Sequence, residues 1–403
     1  MAIIRRGRNQ ICRTTQGLCV LAALSLLVAA GAECESPTSV DCENPGAISF
    51  PGSASDEERA SPAVRSADGV IYAGTLGEAV QSTGKPGFAD IALPPNYKWR
   101  PFRKVPGTPV EILTEDCHFP SRVANISADG NTVVGYATLD GQSTAFRWTP
   151  SEGMLFLTSD TSGIRNSYAK AASLNGAVIV GEAWEKNAFT FKAFRWSASE
   201  GITLFKAPWV QNPEGPNTLT STADNFARAV AVSDDGRAIA IYAGVGEAAR
   251  AFYWTEETGA VSLDDSTDPS TNSMPTAISG DGLTVIGELR RVAYRPFRWT
   301  LSEGLVILDG LHDSPATGQA FAVSYDGSVI VGTTLDGESI VPFIWDATNG
   351  MRTILSAMEP EDAAKYQNWT LKAPYAITAD GRTVYGAGYN NETGEGGWTA
   401  RIR

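Results

Sequence analysis

The chain has 403 residues, 43% hydrophobic and 19% charged, with a net charge of -13. That composition is expected of an ordinary soluble protein once the N-terminus is set aside, with enough apolar residues for a substantial core. A strongly acidic chain repels phosphate backbones and anionic lipid, which argues against nucleic acid as a partner.

The first predicted element is a leader. Arg5, Arg6, Arg8 and Arg13 precede an apolar run from Leu18 to Ala32 ending in Ala30-Gly31-Ala32, the pattern of a secretory signal peptide over residues 1–32. At about 15 residues the run is shorter than the roughly 20 of a membrane-spanning helix, and no later segment is apolar enough to span. Its removal, with four arginines, takes the net charge from -13 to -17. The exported chain then keeps Cys34, Cys42 and Cys117, an odd count in a disulfide-permissive compartment. Cys34 stands where an outer-membrane lipoprotein carries its acylated cysteine, which would leave Cys42 and Cys117 to pair. Against a lipid anchor, Glu33 occupies a place that usually takes a small residue. The other reading is a soluble protein with a Cys34 to Cys42 loop in a flexible leader over residues 33–45.

From there on the chain is a repeat. Blocks resembling A-x-x-S-x-D-G-x-x-x-x-G centre on Ser66, Ser127, Ser173, Ser233, Ser279, Ser324 and Thr378, spaced by 61, 46, 60, 46, 45 and 54 residues. Six of the seven blocks carry Asp-Gly, whose tolerance of positive φ marks a hairpin between two strands, a and b; the third has Asn175 in place of the aspartate. All but the last block are followed by a second signature, a strand c that begins with Pro101-Phe102-Arg103 in the first unit. Later copies are Phe146 and Trp148, Phe194 and Trp196, Phe252 and Trp254, Phe297 and Trp299, and Phe343 and Trp345. Residues two apart on a strand share a face, so these aromatics are predicted to fill the core between units, and the residue between them faces the other way. A Gly-ended turn and a short apolar strand d close each unit.

Four-stranded units in sevens bury their faces only against one another, which predicts an all-β, seven-bladed β-propeller over residues 46–403. The seventh unit ends at Arg403 without room for strand d. Gly46-Ala47-Ile48-Ser49-Phe50 has the form of that missing strand and is expected to pair with the C-terminal blade and close the circle. Comparing copies gives one more expectation. Where Arg lies between Phe and Trp, Glu lies five residues on: Arg147 with Glu152, Arg195 with Glu200, Arg298 with Glu303. A cross-strand ion pair is the simplest cause. The first unit has Arg103 and no such Glu.

The recurring A-F-R-W-T with S-x-D-G and V-x-G resembles the HAF repeat family of extracellular bacterial repeats over roughly residues 60 to 403. The resemblance implies secretion or surface display and no set activity. The family's name-giving His is absent, its place taken by Thr144, Lys192, Arg250, Arg295 or Val341.

In a propeller the a–b and c–d turns share one face, and the b–c and d–a connections share the other. Here the first kind are short and alike, while the long, variable connections are all of the second kind, where function usually resides. Aromatics in or beside them, Tyr97, Trp99, Phe119, Trp184, Trp209, Tyr366 and Trp369, could stack on a carbohydrate or grip a peptide, or else pack the loops onto the ring. No catalytic residue is nominated. His118 and His312 have no metal-ligand spacing partner, and no nucleophile, P-loop or dinucleotide motif occurs. Asp264, Asp265 and Asp268 offer oxygen ligands of the kind calcium takes but lack EF-hand spacing, and read in preference as a solvated acidic loop. The function expected is a noncatalytic binding module outside the cell, its extracellular ligand on the loop-bearing face. A secreted hydrolase or lyase acting on polysaccharide and a structural envelope component are the alternatives.

Overall fold

The computed structural model describes residues 64–78, 98–114, 120–139, 141–157, 163–186, 190–205, 226–244, 249–264, 272–290, 293–311, 317–392 and 394–403. The predicted signal peptide, the leader with its cysteines and the proposed closing strand 46–50 lie outside them.

Blade 1 holds β1 (Val64–Arg65), β2 (Tyr72–Glu78), β3 (Lys98–Lys104) and β4 (Glu111–Ile112). Blade 2 holds β5 (Ser121–Ile126), β6 (Val133–Leu139), β7 (Gln142–Thr149) and β8 (Gly153–Phe156). Blade 3 holds β9 (Ile164–Ala172), β10 (Val178–Glu185), β11 (Phe191–Ser197) and β12 (Gly201–Leu204). Blade 4 holds β13 (Phe226–Val232), β14 (Ile239–Gly244), β15 (Arg250–Thr255) and β16 (Gly259–Ser262). Blade 5 holds β17 (Asn272–Ile278), β18 (Thr284–Arg290), β19 (Tyr294–Thr300) and β20 (Gly304–Ile307). Blade 6 holds β21 (Gly318–Val323), β22 (Val329–Asp336), β23 (Ser339–Asp346) and β24 (Gly350–Thr353). Two short helices, α1 (Ile354–Ala357) and α2 (Pro360–Lys365), lead to blade 7, with β25 (Trp369–Ile377), β26 (Thr383–Asn390) and β27 (Gly394–Arg401). Every sheet is an antiparallel meander in chain order; six have four strands and the seventh has three among the described residues.

The fold is the predicted seven-bladed propeller, and the S-x-D-G block explains how the blades are joined. In each copy the Ser or Thr hydroxyl donates to the Asp or Asn two residues on, as from Ser279 to Asp281 at 2.6 Å, and accepts the N–H five residues on, as from Thr284 at 2.9 Å. The carboxylate also accepts the N–H of Leu283 at 2.9 Å, and Gly282 takes φ +75° to complete the turn. Neighbouring turns are then linked by backbone hydrogen bonds around the whole ring. The donors run from Ala67 to Ala128 (2.8 Å), Asp129 to Leu174 (3.3 Å), Leu174 to Asp234 (2.9 Å) and Asp234 to Gly280 (3.0 Å). They continue from Asp281 to Tyr325 (3.0 Å), Tyr325 to Ala379 (3.0 Å) and Ala379 back to Ala67 (2.7 Å). Strands a therefore crowd the axis, and the circle is closed here by the turns themselves.

Strand c packs as its pattern requires. Phe146, Phe194, Phe297 and Phe343 are fully buried, with Trp148, Trp196 and Trp299 nearly so. Each Phe lies over the strand b glycine opposite it: a Cβ on Gly287 would stand 2.7 Å from the Phe297 ring and 2.1 Å from the Met274 carbonyl oxygen. Blade 4 has Ile241 at that place, and there Phe252 and Trp254 are only half-buried. The middle residue reaches the next blade. Arg103, Arg147 and Arg298 lie over Trp148, Trp196 and Trp345 at 5.8, 6.0 and 5.6 Å, and Tyr253 stacks on Trp299 at 5.0 Å.

The expected ion pairs form: Arg195 meets Glu200 at 3.0 Å, and Arg147 with Glu152 and Arg298 with Glu303 pair likewise. The first unit was expected to lack one and does not, because Glu111 on β4 reaches Arg103 at 3.3 Å. The long connection from blade 6 to blade 7, one of those expected to be loops, is ordered as helix and strand. Pro360 opens α2, Thr353 caps α1, and Trp369 is the first residue of a strand.

Candidate functional site

The site residues expected from the sequence divide. Tyr97, Trp209, Asp265, Asp268 and Cys34, with the side chain of Trp99, lie outside the described residues. Tyr366 and Trp369 pack edge to face at 5.4 Å against the core of blade 7, and the Tyr366 hydroxyl donates to the Thr399 carbonyl oxygen at 3.1 Å and accepts its N–H at 2.8 Å. That is packing of the connection onto the ring. Asp264 lies 3.5 Å from the Arg250 guanidinium, a pair largely hidden from solvent. Among the described residues no three His, Cys, Asp or Glu side chains gather as a metal site would require.

Trp184 belongs to a larger cluster, which sequence reasoning missed. It occupies the loop-bearing ends of blades 2, 3 and 4 beside the axis. The side chain after the strand b residue opposite the strand c Phe, which is Gly in blades 1 to 3 and Ile241 in blade 4, reaches strand a of the next blade in blades 1 to 4. In blade 1 it is Thr75, whose hydroxyl accepts the Val123 N–H at 2.9 Å. In blade 2 it is Tyr136, with its ring 4.9 Å from Tyr168. In blade 4, Tyr242 donates from its hydroxyl to Asn272 at 3.2 Å. In blade 3 it is Glu182, only 5% exposed, with one carboxylate oxygen 2.9 Å from Arg228 Nε and the other 3.2 Å from Lys170 Nζ. Burying a carboxylate is costly unless it is paired, and here two cations pair one acid.

Aromatic rings surround this trio. Tyr168 lies 6.1 Å from Phe191, and Phe191 lies 4.8 Å from Trp184, its cross-strand neighbour. The Arg228 guanidinium lies 5.0 Å from the Phe191 centroid and 5.5 Å from that of Phe226, whose ring is 5.2 Å from Tyr242. All six rings are half-buried, and Arg228 is exposed. The Trp184 indole N–H is buried with no hydrogen-bond partner among the described residues. The signal that could have found the cluster is the repeat itself: blade 3 alone has Lys three residues before its central Ser, at Lys170, while the acid at Glu182 recurs in blade 5 as Glu288.

The opposite face carries a groove of about 620 Å³ between the turns of blades 5 and 6, flanked by Asp281, Leu283, Arg298, Leu301 and Asp326. Near the axis on that face burial, then the neighbouring Asp235 carboxylate, pushes the Asp234 carboxyl up from its ordinary value.

No protein-family model matches the chain, and no curated protein matches it by sequence. Its likeness is to solved propellers. An oligogalacturonate lyase in complex with manganese is 13% identical, with 84% of this chain and 88% of that chain covered and a TM-score of 0.52. A prolyl endopeptidase is 10% identical over 85% of this chain and 50% of its own, with a TM-score of 0.55. TolB from Acinetobacter baumannii is 14% identical over 64% of this chain and 58% of its own, at 0.40. At such identities the likeness is one of fold. Among the described residues no helix is long and apolar enough to cross a membrane.

Proposed function

We propose that this chain is an exported repeat protein of the HAF type whose propeller is a noncatalytic binding module, with its ligand seated on the loop-bearing face. The observation that carries the reading is the cluster of six half-buried rings and two cations at the inner ends of blades 2 to 4. Binding sites join apolar and aromatic walls to a few fixed polar groups, and this cluster has both. Glu182, held at ion-pair distance by two cations, is committed to orienting them, which suits recognition better than turnover. The four arginines and apolar run at the N-terminus support export.

A glycan and peptide array tests this with the wild-type chain and the Trp184→Ala variant. The expected outcome is retention of one ligand class by the wild type and weaker retention by the variant, by up to about tenfold, the scale of one aromatic contact. A wild type that captures nothing, or a variant that binds as well with an unchanged circular dichroism spectrum, overturns the reading.

A further inference from the structure

We propose that Arg228 and Lys170 form a carboxylate-binding site for a hexuronate-containing oligosaccharide, with Glu182 as the positioning residue; the proposal rests on the binding-module reading above and deepens it. The geometry begins with how Arg228 is held. Its Nε faces the buried Glu182 at 2.9 Å, and its plane lies near Phe191 and Phe226. That leaves both terminal Nη groups, which have no partner among the described residues, at the end of a side chain that is 45% exposed. A guanidinium at ion-pair distance from a buried carboxylate through Nε, without a hydrogen bond to it, keeps its planar terminal fork for a carboxylate, which it matches with two parallel hydrogen bonds. Lys170, 41% exposed on its side chain, offers a second cation on the other oxygen of the same acid. With one acid between two bases, the trio keeps a net positive charge in a chain whose net charge is -13.

The fold does not require these charges. The corresponding contacts of blades 1, 2 and 4 are made by Thr75, by Tyr136 with Tyr168, and by Tyr242 with Asn272, all neutral. Blade 5 also buries an acid at this place, Glu288, but pairs it with Arg290 of its own strand; among the described residues only in blade 3 does the acid bridge a cation of its own blade and one of the next. The rings decide the ligand class. Trp184, Phe191 and Tyr168 form a row beside the cations, an apolar wall for the C–H face of a pyranose.

The test compares a hexuronate oligosaccharide with its methyl ester, and a peptide carrying a free C-terminal carboxylate with its amide, by titration against the intact mature chain. The wild type is expected to bind the acidic oligosaccharide at least about tenfold more tightly than the ester, with affinity falling as salt rises. Arg228→Lys keeps the charge and loses the fork, so it should bring the acidic form down toward the ester and leave ester binding unchanged. Lys170→Gln should give a smaller loss on the acidic form alone. Equal binding of acid and ester by the wild type, or an Arg228→Lys variant that still discriminates, overturns the carboxylate site while leaving the binding module standing. Capture of the free-acid peptide with the oligosaccharide ignored overturns the glycan assignment. Silence toward every probe, here and on the arrays, overturns both proposals.

Discussion

Ser279 is fully buried, and its hydroxyl makes the two bonds that shape its turn. Changing Ser279 to Ala leaves the Thr284 N–H buried without a partner, so the urea midpoint should fall by an amount equivalent to about 1–3 kcal/mol. Gly287 is constrained by space: Gly287→Ala forces its methyl against the Met274 carbonyl and the Phe297 ring, and overpacking of this kind costs about 1–3 kcal/mol in the same measurement. The ion pair beside it behaves differently. Glu303 is half exposed, so Glu303→Gln should cost under about 1 kcal/mol, whereas Arg298→Ala also strips the cover from Trp345 and should cost more. The Arg and Glu partners were legible from their co-occurrence among repeats. The Trp beneath each Arg was not, because it belongs to the next blade and the contact depends on how blades stack.

At the scale of elements, α2 clasps the end of the last strand. Asp362 is buried and accepts the Arg401 N–H and its guanidinium Nε, both at 2.9 Å, and Lys365 at 2.7 Å. The hydrogen bonds from the Arg401 side chain hold the Asp362 carboxyl well below its ordinary value, despite burial. Asp326 and Asp380 are lowered as well, by hydrogen bonds from Ser328 and from Thr378 first. A carboxylate with a depressed folded value stabilises the fold above its unfolded value of 3.8 and loses that contribution as pH falls further. Asp234, raised, acts in the opposite sense, its contribution present in acid and lost as pH rises. With four depressed carboxylates, Asp346 among them, against one raised, the melting temperature should drop on acidification below about pH 4, and Asp362→Asn should flatten that drop while lowering the melt at neutral pH by several degrees. The clasp was not read from sequence, since Asp362 and Arg401 are far apart in the chain and neither belongs to the repeat.

At the scale of the molecule, the ring joins blade 7 to blade 1 through Ala379 and Ala67, and through Arg65 over the Tyr385 ring at 4.2 Å. A closed ring shares strain among its joints, so Arg65→Ala should lower the midpoint of one cooperative transition; a separate early transition would mean that blade 7 melts by itself. Deleting residues 33–55 tests the expected closing strand, and the melting temperature should fall sharply; an unchanged melt would remove that strand from the account.

The amino-acid order alone determined the blade count, the strand meander, the face carrying long connections and the buried Phe and Trp, because each is a local pattern repeated many times and set by turn chemistry and period-two alternation. Tertiary structure alone decided which side chains meet across blades: the hydrogen-bonded ring of turns, the Arg-on-Trp contacts, and the meeting of Glu182 with Lys170 and Arg228. Those contacts depend on the angle at which one twisted sheet settles on the next, and no residue spacing along the chain encodes that angle.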